Sequence, residues 1–137
     1  MKWTHLLIVI GLIGCKKQDK AVSGDDYITS SSGLKYKILQ TGTGEPAKEG
    51  SQVLIFETTK YRDGTILYSN ENTDNPVQIL IGGNQATAGV DEGLRGMQVG
   101  EIREIIAPPY LVKRKSYPPN VSPDSTLVVK LILHKIL

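Results

Sequence analysis

The chain has 137 residues, with 16 Lys and Arg against 14 Asp and Glu and a formal net charge of +2. So near a balance supplies no single-sign field to concentrate nucleic acid or anionic lipid, and neither is expected to bind through charge. The length suits one small domain, and a single cysteine leaves no partner for an internal disulfide.

The first element is a secretory signal. Lys2 gives a basic start, Leu6 to Ile13 forms an apolar core, and Gly14 is a small residue before Cys15. The apolar core is far short of the roughly 20 residues that span a bilayer. Leu12-Ile13-Gly14-Cys15 resembles the bacterial lipobox, in which the cysteine thiol receives diacylglycerol and becomes the first residue of the mature protein. The resemblance implies that residues 1–14 are removed and that Cys15 is a lipidation site rather than a nucleophile. The protein is then expected in a bacterial cell envelope, held to the membrane by lipid and facing the periplasm or the cell exterior. Residues 15–32, with Lys16-Lys17-Gln18-Asp19-Lys20 and Ser30-Ser31-Ser32, carry too little apolar surface to order themselves and read as a flexible tether.

Residues 33–137 read as the folded domain. Gly33 to Leu39 alternates apolar and polar residues, as a half-buried strand does. Val53 to Tyr61 is a β-branched and aromatic strand, and Arg62-Asp63-Gly64-Thr65 turns it into Ile66-Leu67-Tyr68 as a hairpin. Pro76 to Ile81 is a further strand, with Pro at its start where a missing N–H costs least, and Gly82-Gly83 stops it. The spacing of Val90, Leu94 and Met97 predicts one short helix over Ala88 to Met97. Ile102 to Ile106 returns to strand, residues 107–124 form a proline-rich loop, and Leu127 to Leu133 is the last and most apolar strand. The sum is an antiparallel sheet over one short helix, in the α+β class.

The run Gly93-Leu94-Arg95-Gly96-Met97-Gln98-Val99-Gly100-Glu101-Ile102-Arg103 is followed by Pro108-Pro109-Tyr110-Leu111 and later by Ser122-Pro123-Asp124-Ser125-Thr126-Leu127-Val128. This succession resembles the FKBP-type peptidyl-prolyl cis-trans isomerases, and Gly50, Asp63-Gly64, Pro76, Gly82 and Gly89 also fall where that family turns or starts its strands and helix. The resemblance implies a half-barrel of five or six antiparallel strands wrapped on one helix, with a pocket between helix and sheet. It implies rotation about X-Pro bonds as the activity, with no cofactor and no metal, and proline-containing peptides or unfolded envelope proteins as partners.

Carried across the family match, the pocket positions are Glu57, Leu67, Tyr68, Val77, Ala86, Thr87, Val90, Lys113 and Val129. In the family most of these are aromatic: Glu57 and Lys113 stand for tyrosines, Leu67, Val77 and Val129 for phenylalanines, and Val90 for a tryptophan floor, while Tyr68 stands for an aspartate. A buried aromatic offers about 150–250 Å² of contact, so aliphatic replacements forfeit apolar contact to a proline ring and weak turnover is expected. Leu67, Val77, Val90 and Val129 equally suit plain core packing, and Glu57 and Lys113 could pair across the pocket mouth. The Thr87 backbone N–H, placed to donate to a substrate carbonyl, does not depend on its side chain. Two functions follow: a membrane-anchored prolyl isomerase for secreted or envelope proteins, or a non-catalytic peptide- or protein-binding lipoprotein on the same scaffold. Lys113-Arg114-Lys115 with Tyr117 would form a basic tip for an acidic partner in the second case.

Overall fold

In the computed structural model, which describes residues 26–137, seven antiparallel strands form one sheet with a single short α-helix packed on it. The strands are β1 (Ile28–Thr29), β2 (Lys35–Gln40), β3 (Gln52–Tyr61), β4 (Ile66–Ser69), β5 (Val77–Leu80), β6 (Ile102–Ala107) and β7 (Leu127–Ile136); α1 (Ala88–Leu94) joins β5 to β6. The sheet runs β1-β2-β6-β7-β3-β4, and β5 pairs with the first half of β3. Seven strands exceed the five or six expected, because the two-residue β1 adds an edge strand beside β2.

The spine is the pairing of β3 with β7, from Val53 opposite Ile136 to Tyr61 opposite Leu127. Both strands are rich in β-branched residues, which suit a pleated and half-buried surface. With a period of two, β3 turns Val53, Ile55 and Thr59 to the core, and β7 turns Leu127, Val129, Leu131 and Leu133 to it. Each fully buried Leu or Ile contributes about 1.5–3 kcal/mol.

α1 lies against β6 and β7 and buries Gly89, Val90, Gly93 and Leu94. Its glycines cost helix propensity but permit the approach: a Cβ on Gly93 would stand 3.0 Å from Ile105 Cγ2 and 3.2 Å from Leu131 Cδ1. The helix ends at Leu94 rather than Met97, because Arg95 is already extended and Gly96 takes a φ of 84°. Met97 is nonetheless fully buried, delivered to the core by this turn. At the same end Arg103 donates from Nη1 to the carbonyls of Gly93 and Arg95, each at 3.2 Å, and from Nε to Glu101 at 2.7 Å. Carbonyls that a helix end leaves without partners are thereby satisfied.

Cys15 and the expected signal lie outside the described residues. Residues 27–32, expected to belong to the flexible tether, are instead tied to the fold. β1 pairs with β2, the Tyr27 hydroxyl donates to Glu104, and the hydroxyls of Ser30 and Ser32 donate to the Glu92 carboxylate of α1 at 2.7 and 2.6 Å. Composition missed this because the segment is held by hydrogen bonds to the fold rather than by its own apolar surface. β2 is less buried than alternation suggested, with Ile38 and Leu39 exposed; Tyr36 is its inward contribution, beside the fully buried Leu34 that precedes it.

Candidate functional site

A cleft of about 480 Å³ opens between the start of α1, β5, the inner face of β7 and the loop after β6. Its apolar wall comes from Val77 and Ile79 of β5, Val90 of α1, and Leu127 and Val129 of β7. A second cleft of about 320 Å³, lined by Leu67 and Tyr68 of β4 and by Asn120 and Val121 of the loop, shares Glu57, Thr59 and Arg114 with the first.

The nine positions carried over from the family divide between these two clefts. Val77, Ala86, Thr87, Val90, Lys113 and Val129 line the larger, Leu67 and Tyr68 line the smaller, and Glu57 lines both. Sequence reading passed over Thr59 and Val112, and took Arg114 only as part of a basic loop tip rather than as lining of both clefts. Val112 is buried and stands in the wall of the larger cleft, whereas Lys113, taken for the loop tyrosine position, is exposed. The available signal was the apolar pair Leu111-Val112 directly after Pro108-Pro109: the short 3-10 helix Pro109–Leu111 turns both side chains inward.

The loop that bounds the clefts is tied to the sheet. The Tyr61 hydroxyl donates to the Asn120 carbonyl at 2.7 Å and accepts from the Ser122 N–H at 2.9 Å, while Asn120 Nδ2 donates to the Leu67 carbonyl at 3.2 Å. These bonds span 53 to 61 residues of sequence and fix the smaller cleft's outer wall.

Three polar groups stand out against the aliphatic lining. Glu57 follows the inward series of β3 between Ile55 and Thr59, so a carboxylate occupies a core-facing position. Its backbone is clamped by Asn70: the Glu57 N–H donates to Asn70 Oδ1 at 2.7 Å and the Asn70 N–H donates to the Glu57 carbonyl at 3.1 Å. Burial pushes the Glu57 carboxyl up from its ordinary range, with the Arg114 guanidinium partly opposing this. The Glu57–Lys113 pairing expected across the mouth does not form, and Glu57 makes no salt bridge among the described residues. Thr87 precedes α1 in an extended conformation, and its Oγ1 is buried without a hydrogen-bond partner among the described residues. Thr59, the third, is buried beside Glu57 on the same strand face.

Neither cleft is lined by Cys or His. What the lining offers is apolar contact with a few hydrogen-bonding groups at fixed positions, an arrangement that can hold an extended peptide and strip water from it.

Comparison with known proteins places this geometry. The family described as FKBP-type peptidyl-prolyl cis-trans isomerase matches residues 43–134. FK506-binding protein 2 of Yarrowia lipolytica is 35% identical over 97 residues, covering 70% of this chain and 67% of the yeast protein. The 39 kDa FK506-binding nuclear protein of Drosophila melanogaster is 30% identical over 112 residues, covering 81% of this chain, which spans only 31% of the fly protein. Among solved structures, FkpA from Escherichia coli superposes with a TM-score of 0.71 at 28% identity, over 80% of this chain and 51% of that one. The fold is also that of AtFKBP13, with a TM-score of 0.72 at 22% identity over 81% of this chain and 98% of that one.

Proposed function

Because the chain belongs to the FKBP-type peptidyl-prolyl cis-trans isomerase family, we propose that it is a membrane-anchored prolyl isomerase of low turnover that assists the folding of envelope or secreted proteins. The single observation that carries the reading is the aliphatic cleft between α1 and the sheet, with Val90 in its wall and Thr87 at its edge. Rotation about an X-Pro bond meets a barrier of about 18–20 kcal/mol from C–N double-bond character. No nucleophile is needed. A cleft that removes water from the prolyl carbonyl favours the twisted amide, in which that double-bond character is lost, and fixed donors hold the flanking peptide while it rotates. The low turnover follows from side chains: Val77, Val90 and Val129 present less surface to a proline ring than aromatic residues would. The anchor rests on Cys15 and its lipobox-like setting.

Catalysed cis-trans exchange of an X-Pro tetrapeptide, measured with the purified protein, tests the activity. Acceleration that is measurable but well below that of relatives with aromatic pockets is the expected result. No acceleration with the fold intact would favour the non-catalytic binding protein, a reading that the exposed Lys113, Arg114 and Lys115 beside the cleft support by offering a basic rim to a partner.

A further inference from the structure

We infer that Glu57 makes this cleft selective for peptides that carry a lysine or arginine next to the proline. The inference rests on the peptide-binding reading of the cleft and specifies its substrate class.

The geometry is that of a charge held in place without a partner. Its neighbours in the core-facing series of β3 are uncharged: Val53, Ile55, the buried Thr59, and Tyr61, whose hydroxyl is held by the loop. Glu57 occupies the same series, and the two bonds from Asn70 fix its backbone and hence the direction of its side chain. Lining both clefts, it stands where a peptide laid across them would pass. A carboxylate in such a place is costly unless a cation or donors meet it. Among the described residues its carboxylate forms no salt bridge, and β5, β7 and α1 contribute only apolar side chains to the cleft that it lines.

The charged and titratable groups that share its clefts are Arg114, Lys113 and Lys115 from the loop and Tyr68 from β4. The three loop cations are exposed. Exposed charges are screened and conformationally free, and contribute little individually. Of these Arg114 lines both clefts, so it competes for Glu57 in the free protein and must swing aside for an incoming basic side chain. Thr87, whose Oγ1 is buried without a hydrogen-bond partner among the described residues, is a further polar residue in the lining of the larger cleft.

Two peptide series test this with the purified full-length chain, Ala-Xaa-Pro-Phe and Ala-Ala-Pro-Xaa, with Xaa as Lys, Leu or Glu. NMR exchange spectroscopy reads catalysed cis-trans interconversion, and chemical-shift titration reads Kd in the same samples. In at least one series Lys should exceed Leu by about fivefold and Glu by more, in Kd or in exchange rate, the scale of a partly desolvated ion pair. Glu57→Gln should bring the Lys-to-Leu ratio close to one, and Arg114→Ala should raise it, because the competing cation is gone. Equal affinities for Lys and Leu peptides in both series, or a ratio unmoved by Glu57→Gln, would overturn the assignment. Absence of catalysed exchange on every peptide would instead count against the isomerase reading, while the Kd ratios would still decide the role of Glu57.

Discussion

Asn70 holds Glu57 from both sides: its side-chain carbonyl accepts the Glu57 N–H at 2.7 Å, and its own N–H donates to the Glu57 carbonyl at 3.1 Å. The same amide donates from Nδ2 to the carbonyls of Ile55 and Asn75, at 3.4 and 3.1 Å. Asn70 thus substitutes for ladder bonds at the point where β4 leaves β3, and it sits in the buried layer. Asn70→Ala leaves the Glu57 N–H and two carbonyls short of a partner, at about 1–3 kcal/mol for a buried group left unsatisfied. A loss of that size in urea denaturation, with an unchanged m-value, is the expected outcome. Full stability in the variant would mean that the clamp on β3 is dispensable.

Arg103 is nearly fully buried, and so is its partner Glu101. The Nη2–Oε2 distance is 2.7 Å, and the guanidinium also stands 5.2 Å from the Tyr36 ring centre. Removing one member of a buried pair leaves the other charge uncompensated, at a cost of about 3–5 kcal/mol. Arg103→Ala should therefore be among the most damaging changes available, since it also uncaps the end of α1. The double variant Arg103→Met with Glu101→Leu should recover much of the loss, because an apolar pair of similar size can replace a buried ion pair at little cost. Thermal denaturation of the single and double variants checks both statements.

How far the sequence reveals this protein depends on which residues carry the information. The strands of the spine were legible because Val53 to Tyr61 and Leu127 to Leu133 are long, β-branched runs that only a buried sheet accommodates. The family was legible through framework residues such as Gly93 and Pro108, whose roles are local and steric: Gly93 lets α1 reach Ile105 and Leu131. The ordering of Ser30 and Ser32 was not legible, because it depends on Glu92, 62 and 60 residues away. Neither was the wall position of Val112, since an alignment by position cannot say which of two neighbours a short 3-10 turn directs inward. Asn70 escaped notice for the same reason as Glu92, being polar in sequence and buried only by the fold.

Glu57 gives a pH signature. Burial raises its carboxyl pKa above the unfolded value, so the native state holds its proton to a higher pH than the unfolded chain does. The stabilising contribution of the neutral form is therefore fully present below the ordinary carboxylate pKa and is lost as pH rises through the raised value. Glu57→Gln, neutral at every pH, should then raise the melting temperature at pH 7 relative to the parent chain, and the difference should shrink toward zero in acid. A variant less stable than the parent at pH 7 would show that Arg114 meets the charge more fully than its exposed position allows.

The lipid anchor proposed at Cys15 is tested by Cys15→Ser. Without the thiol there is no site for diacylglycerol, so the variant should leave the membrane fraction after a carbonate wash while the parent remains. Stable anchoring takes more than one acyl chain, so partial acylation should read as partial release. Retention of the variant in the membrane would reassign the attachment to some other part of the chain.

Low turnover, if it stems from the aliphatic lining, should yield to aromatic side chains placed in the wall. Val77 and Val90 line the larger cleft and Lys113 stands at its rim, so the combined variant Val90→Trp, Val77→Phe and Lys113→Tyr adds ring surface to its wall and a hydroxyl at its mouth. Each aromatic side chain brings about 150–250 Å² of potential contact, and at about 25 cal/mol per Å² of apolar surface covered a fraction of that is enough for a tenfold change in rate. Contact made only with the twisted amide raises kcat, whereas contact made equally with the ground state lowers KM alone, so both constants must be measured. We expect kcat/KM on a Leu-Pro tetrapeptide to rise by about tenfold or more, with circular dichroism and urea denaturation confirming that any overpacking stays within about 1–3 kcal/mol. A parent chain already as fast as relatives with aromatic pockets would show instead that the aliphatic wall of Val77, Val90 and Val129 suffices for the reaction.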